Sequence, residues 1–499
     1  MAQVNDERRQ RIAFLSQELV KIDDERTELL RQLEGLDARA VVVKMEHAAL
    51  LNLDSPTSRL PDEVLAMIFV AGIGLRSRFG ELVSHVSRHW RRISISTPRL
   101  WANVEILTVP DPENEDARRL WPSNDEHDLK GGATLAERKR RKDRAAMYFS
   151  RSRSYPMNIR IECTDSRDAL LDFLDLISHH IDHCRQLRLV GVSSAVVLLL
   201  GESLRSRPVP LLASLTLQFQ WDSLWQEGTF SFEAPLLKCL HLIDIGRNHR
   251  ILLQPAFARV TCLRLHSFTA STLESYETIR AGLMQLKSLH HLELSPNTDI
   301  IDSAALQPIV LPTLRLLRYG WDFPLKLPGC LRLINAASAE VLSIGSWSGG
   351  EPGPLEAQFP SLKHIILTEG STLVMSESMI DAFRRGFPHI EQLTYRVHLL
   401  NTFANALSYI LPRRGPSDSA QWPRLHTLSI DAFWRPRHDD PALHTVLQNA
   451  GPSIRKLRLS RPFFKARHAS DAMQRLRDLV EVEEWYDDWP TPFAGPDRH

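Results

Sequence analysis

The sequence predicts an α/β protein whose main part is a solenoid of parallel strands with outer helices, preceded by an all-α module and an N-terminal coiled-coil helix. Three observations support this fold class: a leucine motif that recurs along most of the chain, helical spacing near residues 60–101, and a heptad pattern at the start. The predicted divisions are a coiled-coil helix at 1–52, a helical module at 53–105, a charged linker with a leading helix at 106–150, the solenoid at 151–478 and an acidic tail at 479–499.

The composition is that of a multi-domain protein with balanced charge. Of 499 residues, 43% are hydrophobic, and 61 basic residues oppose 60 acidic ones. This balance indicates neither nucleic acid nor a membrane surface as a partner, and the longest apolar stretch is too short to span a bilayer. The five cysteines form no Cys-x-x-Cys pair, so we expect reduced thiols in a cytoplasmic or nuclear compartment.

The first segment carries a heptad seam of about four repeats. The seam positions alternate by three and four, at Ile12, Leu15, Leu19, Ile22, Arg26, Leu29, Leu33 and Leu36. A period of 3.5 keeps one stripe facing a partner helix, so we expect a dimeric or intramolecular coiled coil within residues 6–52. Self-association through this segment is a hypothesis, and Arg26 would weaken such a core. The alternative is a single amphipathic helix packed on the neighbouring module.

Residues 60–101 have the pattern of a small helical module that leaves apolar surface for a partner. In the run LPDEVLAMIF at 60–69, Pro61 suits a first helical position, and Asp62 and Glu63 favour a helix start. The run LVSHVSRHWRRI at 82–93 repeats the helical spacing in a second helix, and TPRLW follows at 97–101. A unit of this size buries too little surface to be stable alone, so some apolar surface should belong to another polypeptide.

This arrangement resembles the F-box, the helical module through which substrate receptors attach to the Skp-family adaptor of cullin-based SCF ubiquitin ligases. The resemblance implies adaptor-binding residues at Leu60, Pro61, Val64, Leu65, Ile68, Phe69, Val83, Val86, Trp90, Ile93, Leu100 and Trp101. Two departures concern the helix junction: Ser87 stands where the family often has cysteine, and the glycine-rich segment 72–80 lacks the usual acidic turn. The alternative is an ordinary helical hairpin buried inside a larger fold.

The composition shifts abruptly between Pro110 and Tyr148. An acidic half comes first, and a basic run follows at Arg138, Lys139, Arg140, Arg141 and Lys142. We interpret the segment as a linker that ends in a polar helix, with which the next domain begins. The basic run is either a nuclear import signal or a solvated helix face.

From residue 151 onward the chain is governed by a repeat. Each clear copy has an apolar residue, a proline and then Leu-x-x-Leu-x-Leu, with prolines at Pro210, Pro235, Pro312, Pro360, Pro388, Pro423 and Pro452. Degenerate copies contain Leu187, Leu263, Leu292 and Leu342. Together they give about eleven units at a spacing of about 23 to 35 residues, which lies around the leucine-rich repeat range.

The motif has a physical reason. Its last two apolar residues are two positions apart, so they share one face of a strand that only neighbouring units can cover. The proline is expected to fix an extended entry to the strand. Segments such as SYETIRAGLMQL and SMIDAFRRGF have helical spacing and should form the outer layer. The pattern resembles the irregular leucine-rich repeats that follow an F-box, although only the copy ending at Asn297 keeps the asparagine of that class.

The strand face outside the core is the expected site of target recognition. The candidate target-binding residues are Arg188, His241, Arg264, His291, Arg318, His364 and Arg458, and the same face carries Cys262, Glu293 and Lys456. Basic and histidine side chains predominate, so a concave surface could bind an acidic or phosphorylated segment of a target protein. The alternative is that these are ordinary solvated strand positions.

A search for chemistry nominates no catalytic residue, cofactor or metal. The stretch Gly345–Gly349 has tryptophan where a nucleophile elbow requires serine, so we interpret it as a loop. His179, His180, His183 and Cys184 lie close together but without a second cysteine pair. What the resemblance to F-box proteins implies is a non-catalytic substrate-recognition subunit that binds a Skp-family adaptor, through it a cullin, and an unknown protein substrate. The alternative is a non-degradative interaction scaffold, and the acidic tail is expected to cap the last repeat.

Overall fold

The computed structural model divides the chain into two compact units, Met1–Leu100 and Trp101–His499. The residues that it describes are 2–54, 56–73, 78–107, 135–162, 175–205, 207–220, 230, 232–246, 248–297, 306–320, 331–345, 355–368, 377–397, 422–432, 454–461, 464, 471–486 and 489–493. In these residues the first unit contains helices but no strands, and the second is built on parallel strands. The predicted α/β class, with a long parallel sheet after an N-terminal helix, is confirmed.

The first unit contains one long helix and three short ones. They are α1 (Ala2–Asp54), α2 (Asp62–Gly72), α3 (Phe79–Ser84) and α4 (Arg88–Ser96), with 3₁₀ turns at Pro56–Arg59 and Pro98–Trp101. The 53 residues of α1 span ~80 Å at 1.5 Å per residue. Its apolar heptad residues are 47–67% exposed. This exposure contradicts the alternatives in which α1 packs on the neighbouring module or pairs with another described segment of the same chain.

Helix α2 begins directly after Pro61. This proline is the N-cap rather than the first helical residue, and its carbonyl accepts the N–H groups of Val64 and Leu65 at 3.1 Å. Asp62 and Glu63 lie in the first turn, where negative charge is favourable to the helix dipole.

The predicted second helix at 82–93 is two helices. The break falls at Ser87, whose extended backbone is the N-cap of α4 and whose hydroxyl accepts the N–H of Trp90 at 3.1 Å. A serine hydroxyl at this position satisfies a donor that has no partner within the helix, so it favours a helix start there. The residue that departs from the F-box pattern thus has a local structural role.

These short helices enclose a small core of their own. Leu65, Phe69, Val83 and Ile93 are buried, and the Phe69 ring lies 4.8 Å from the ring of Trp90 between centroids. Gly72 ends α2 against the ring of Phe79, and a Cβ atom at Gly72 would clash with that ring.

Within the described residues, the second unit contains a fourteen-stranded sheet in which every neighbouring pair is parallel. Its strands, in spatial order, are β1 (Asn103–Leu107), β2 (Met157–Glu162), β3 (Cys184–Val192), β4 (Ser214–Phe219), β5 (Cys239–Gly246), β6 (Cys262–Phe268), β7 (His291–Pro296), β9 (Leu316–Tyr319), β11 (Val341–Ile344), β12 (His364–Thr368), β13 (Gln392–Val397), β14 (Thr427–Ala432), β15 (Lys456–Ser460) and β16 (Glu481–Trp485). β8 (Ile309–Val310) and β10 (Ile334–Asn335) form a separate two-stranded sheet. Because the spatial order of the strands follows their order in the chain, each repeat packs on the next one.

One row of aligned side chains builds most of the core. Each of twelve consecutive strands places one fully buried residue in this row: Ile159, Leu187, Leu215, Leu240, Leu263, Leu292, Leu317, Leu342, Ile365, Leu393, Leu428 and Leu457. Burying each such side chain contributes about 1.5–3 kcal/mol. A second row two residues later includes Leu217, Leu242 and Leu265, as the repeat motif predicted.

The sheet is longer than the sequence indicated, with fourteen strands rather than about eleven. The three additional strands are β1, β2 and β16. β1 and β16 lie outside the predicted solenoid range of 151–478, one at each end, whereas β2 lies within it. Sequence reasoning missed them because none of the three is preceded by the proline motif.

The prolines form turns rather than extended entries. Pro210, Pro312 and Pro360 each lie four residues before their strand. The residue before the proline accepts a hydrogen bond from the N–H three positions later, as in Leu314 to Leu311 at 3.2 Å and Leu362 to Phe359 at 3.1 Å. Proline at the second position of a turn pre-sets the required φ. The apolar side chains at the first and last positions of the turn, such as Leu311 and Leu314, thereby point into the core. This explains the spacing of the motif.

Five helices accompany the sheet in the described residues. They are α5 (Leu135–Ser152), α6 (Ser194–Arg205), α7 (Leu273–Gln285), α8 (Glu377–Gly386) and α9 (Asp471–Leu479), with 3₁₀ turns at Ile181–His183, His249–Leu253 and Pro255–Phe257. The two segments with helical spacing fall in α7 and α8 and are confirmed as helices. The acidic half of the linker lies outside the described residues, and the basic run belongs to α5. None of the described helices is both long and apolar enough to cross a membrane.

Candidate functional site

Half of the side chains that were expected to bind an adaptor are buried. The buried ones are Leu65, Phe69, Val83, Ile93, Leu100 and Trp101. Six of the twelve residues are therefore enclosed by the chain itself, and the binding of the set to an adaptor stays a prediction. The first four form the core of the module, and Trp101 lies edge-on to Tyr148 at 5.1 Å and beneath the guanidinium of Arg151 at 4.4 Å.

The remaining predicted residues form an apolar surface. Pro61, Val64, Ile68 and Val86 are exposed, and Leu60 and Trp90 are partly exposed. Two exposed residues that the sequence prediction omitted add to it, Met67 at 71% and Leu82 at 51%. Positions 64, 67 and 68 follow the three-and-four spacing that places side chains on one side of a helix. That spacing could have identified Met67 from the sequence.

An ion pair borders this apolar surface. Arg92 donates to the carboxylate of Asp62 at 2.7 Å, and His89 lies 3.5 Å from the same carboxylate. The pair links the first turn of α2 to α4, so it holds the two helices in register. All three side chains are partly exposed, so the contribution of the pair to stability is small.

A second candidate surface lies on the face of the sheet opposite the leucine rows. The register of β5, β6, β7 and β9 aligns His241, Arg264, Glu293 and Arg318 across four neighbouring strands. His291 lies two residues before Glu293 on β7 and therefore points to the same side. We call these five residues the Glu293 cluster.

The carboxylate of Glu293 is the centre of this cluster. Oε2 accepts a hydrogen bond from Nε of Arg264 at 2.7 Å, and Oε1 accepts one from Nε2 of His291 at 2.8 Å. The indole nitrogen of Trp489 donates to Oε1 at 2.8 Å. Glu293 is only 1% exposed, and the hydrogen-bonded arginine offsets the burial of its charge.

The cluster shifts the ionisation of two of its members. Burial acts to raise the pKa of Glu293, but the hydrogen bond from His291, the charge of Arg264 and the hydrogen bond from Trp489 together lower it to about 2. Burial and the neighbouring charges of Arg264 and Arg188 lower the pKa of His241 to about 3. At neutral pH, therefore, Glu293 is ionised and His241 is neutral.

The C-terminal segment Trp489–Phe493 covers the cluster. Besides the Trp489 bond to Glu293, the hydroxyl of Thr491 accepts a hydrogen bond from Arg264 at 3.1 Å. The ring of Phe493 lies 4.6 Å from the guanidinium carbon of Arg264. These three residues were expected to belong to the acidic tail that caps the last repeat, and no role on the face of the sheet was predicted for them. The available signal was a set of aromatic residues alternating with prolines beyond the last repeat.

Comparison with known proteins adds no family to these observations. No family model matches the chain, and no curated protein is similar to it in sequence. Function must therefore be inferred from the residues of the two surfaces.

The seven predicted target-binding residues do not form one exposed patch. Arg264, His291 and His364 are buried, whereas Arg188, His241, Arg318 and Arg458 are partly exposed. The structure brings His241, Arg264, His291 and Arg318 together and leaves the other three on more distant strands. His364 pairs instead with Thr394 at 2.8 Å, and Arg458 with Glu483 at 3.4 Å. The alternative that these are ordinary solvated positions is wrong for the three buried members, Arg264, His291 and His364.

The histidines near residue 180 have structural contacts. The ring of His180 stacks on Phe149 at 4.8 Å, and burial raises the pKa of the Cys184 thiol to about 12. Within the described residues, no group of three or more His, Cys, Asp or Glu side chains could hold a metal ion. Of the stretch Gly345–Gly349, all but Gly345 lies outside those residues.

Proposed function

We propose that the chain is the substrate-recognition subunit of an SCF-type, cullin-RING E3 ubiquitin ligase. In this proposal the module at 53–105 is an F-box that docks on a Skp-family adaptor, and the sheet is an irregular leucine-rich-repeat domain that binds a target protein. The observation that carries the proposal is the exposed apolar side of α2, where Val64, Met67 and Ile68 are 38%, 71% and 50% exposed. Such a complex would act in the cytoplasm or the nucleus.

The exposed side of α2 supports docking because its opposite side is already satisfied. Leu65 and Phe69 are 1% exposed, so α2 needs no second partner to complete the core of its module. Val64, Met67 and Ile68 therefore remain available to another protein. These three side chains are already partly covered, so burying the rest of their surface would contribute about 2–5 kcal/mol before the entropy of association is subtracted.

In this proposal the mechanism is proximity. The module holds the adaptor and through it the cullin, while the sheet holds a target protein. A recruited conjugating enzyme then meets the target at a raised effective concentration, so the chain itself performs no bond chemistry. The irregular spacing of the repeats supports a target-specific binding surface rather than a uniform one.

Co-purification with a Skp-family adaptor tests the docking half of the proposal. The full chain should retain the adaptor, and Val64→Asp together with Ile68→Asp should abolish retention, because both positions are exposed and tolerate a charge without unfolding the module. The matched control is Leu273→Asp, which places the same charge on an exposed leucine of α7, and it should bind normally. Retention by the double variant would contradict the proposal.

A further inference from the structure

The segment Trp489–Phe493 lies on the sheet with alternate side chains facing inward. Trp489 and Phe493 are buried, Thr491 is half-buried, and Pro490 and Pro492 are exposed. This alternation places one side of the segment on the sheet, and the hydrogen bond from the N–H of Thr491 to the carbonyl of Trp489 makes a three-residue turn at Pro490. The prolines favour extended backbone and carry no N–H that would need a partner.

The segment is attached to the sheet by its side chains. Its N–H groups at Thr491 and Phe493 bond within the segment, to the carbonyl of Trp489 at 2.9 Å and to the hydroxyl of Thr491 at 3.4 Å. It adds no strand to the sheet, since the last strand, β16, ends at Trp485. Side-chain attachment of a short segment is reversible without any loss of the sheet ladder.

Each inward side chain meets a different chemical partner. The indole N–H of Trp489 finds the carboxylate of Glu293, and the hydroxyl of Thr491 finds the guanidinium of Arg264. The ring of Phe493 lies 5.7 Å from that of His241 and 5.8 Å from that of His291. The contacts of one aromatic side chain on each side of a polar one form a specific pattern, which differs from general hydrophobic covering of the sheet.

We propose that the Glu293 cluster is a peptide-binding surface, that Trp489–Phe493 is its intramolecular occupant, and that the external ligand is a short protein segment with two aromatic residues flanking a serine or threonine. This deepens the target-binding half of the proposed function and rests on it. The tail competes with the target, so the surface is open only when a target segment displaces residues 489–493. Proline-rich segments are a common class of peptide ligand.

A labelled synthetic peptide tests this competition. The probe is a fluorescent peptide with the sequence of residues 487–495, and its binding to full-length protein is followed by fluorescence anisotropy. Two variants release the tail without altering the sheet: Trp489→Ala with Phe493→Ala, and Thr491→Arg, which places a cation beside Arg264. The control peptide has alanine in place of both aromatic residues.

Both variants should bind the probe about 100-fold more tightly than the unaltered chain, because a short tether holds the tail at millimolar effective concentration. The control peptide should not bind. Equal binding by all three proteins, or no binding by a folded variant, would overturn the proposal. Loss of the folded circular dichroism signal in both variants would also overturn it, since the tail would then be part of the core. Adaptor co-purification with the same variants separates this result from a failure of the docking proposal.

Helix α1 supports a second, independent inference. Its seam is exposed, and charged residues flank it on both sides. One flank comprises Arg11, Glu18, Glu25, Gln32, Arg39 and Glu46, and the other comprises Arg9, Ser16, Asp23, Leu30, Asp37 and Lys44. In a two-stranded coiled coil these flanking residues set the orientation of the partner.

A parallel pair of α1 helices would oppose like charges. Each residue of the first flank would meet the residue five positions later on the other copy. Glu18 would then meet Asp23, and Arg39 would meet Lys44, twice each by symmetry. No opposite pair arises from the two flanks in this arrangement, so it is disfavoured.

An antiparallel pair reverses this balance. When Leu19 of one copy faces Leu36 of the other, the first flank of one copy lies beside the first flank of the other. Glu18 then lies beside Arg39, and Arg11 lies beside Glu46. The second flank contributes one like pair, Arg9 with Lys44, near the ends. In the core of this pair, seam residues of one copy face apolar residues of the other, except that Arg26 of each copy faces Leu29 of the other.

We infer that α1 forms an antiparallel homodimer centred near residue 28. Sedimentation of the full chain tests this inference, because single charge reversals have opposite effects in the two orientations. In an antiparallel dimer, Glu18→Arg or Arg39→Glu should each weaken dimerisation about tenfold, and the double variant should restore it. In a parallel dimer each single variant would tighten it.

The control variant is Glu34→Arg, which lies just outside the seam and should leave dimerisation unchanged. Tighter association of either single variant, or a chain that sediments as a monomer at every concentration, would overturn the inference. Neither result depends on adaptor or target binding.

Discussion

The indole nitrogen of Trp489 lies 2.8 Å from a carboxylate oxygen of Glu293, although 196 residues separate them in sequence. The same oxygen accepts a hydrogen bond from His291, and the other carboxylate oxygen accepts one from Arg264. A buried carboxylate with three donors is well satisfied, so it fixes both the strand register and the position of the tail. Glu293 is therefore expected to be the most sensitive polar position of the sheet.

Replacing the charge of Glu293 should destabilise the fold. In Glu293→Gln the side chain keeps its shape, but Arg264 is left buried without a counter-charge, and one amide N–H faces a donor. We expect a loss of about 3 kcal/mol in the free energy of unfolding, measured by urea titration. The matched control is Glu483→Gln, which changes a more exposed carboxylate paired with Lys456 and should have little effect. Equal effects of the two substitutions would contradict this account of the cluster.

The lowered pKa of His241 predicts a pH dependence of stability. Its pKa is about 3 in the folded chain and 6.5 ordinarily, so below pH 6.5 the unfolded chain takes up a proton that the folded chain does not. Stability should therefore fall as the pH is lowered through this window, by about 2 kcal/mol between pH 6.5 and pH 5 from this residue. Asparagine does not titrate, so His241→Asn should flatten the pH profile of the unfolding free energy. Parallel profiles for the two proteins would show that His241 does not cause the slope.

The serine that departs from the F-box pattern should matter for stability. Ser87→Ala removes the hydroxyl that accepts the N–H of Trp90, so α4 loses its cap. We expect a loss of about 1 kcal/mol, measured by thermal or urea unfolding of the full chain. Ser96→Ala, at the other end of α4, is the control, since its hydroxyl only bonds back to a carbonyl of the helix. An unchanged stability in Ser87→Ala would contradict the capping role.

Local patterns predicted the strands well where a motif imposes both a turn and a buried row. The copy that begins at Leu311 is an example: Pro312 forms the turn, and Leu314 and Leu317 then fall in the core. The strands β1, β2 and β16 carry no such turn, and their place in the sheet depends on neighbours that are remote in sequence. They could not be predicted from the repeat.

The exposure of the docking residues could not be predicted either. Apolar residues occupy most of α2, so the sequence alone does not show which side faces its own module. Packing against Trp90 assigns Phe69 to the core, while Met67 remains outside. The tail was beyond sequence reasoning for a related reason, because Trp489 reaches Glu293 only once all intervening strands have stacked.

Calorimetric titration of the full chain with a purified Skp-family adaptor tests the central claim most directly. The account predicts a one-to-one complex with a negative heat-capacity change, as expected for burial of Val64, Met67 and Ile68. Ile68→Asp should weaken it at least about 100-fold, since a charge would have to be desolvated in an apolar contact. Absence of binding by the unaltered chain, or undiminished binding by Ile68→Asp, would contradict the account.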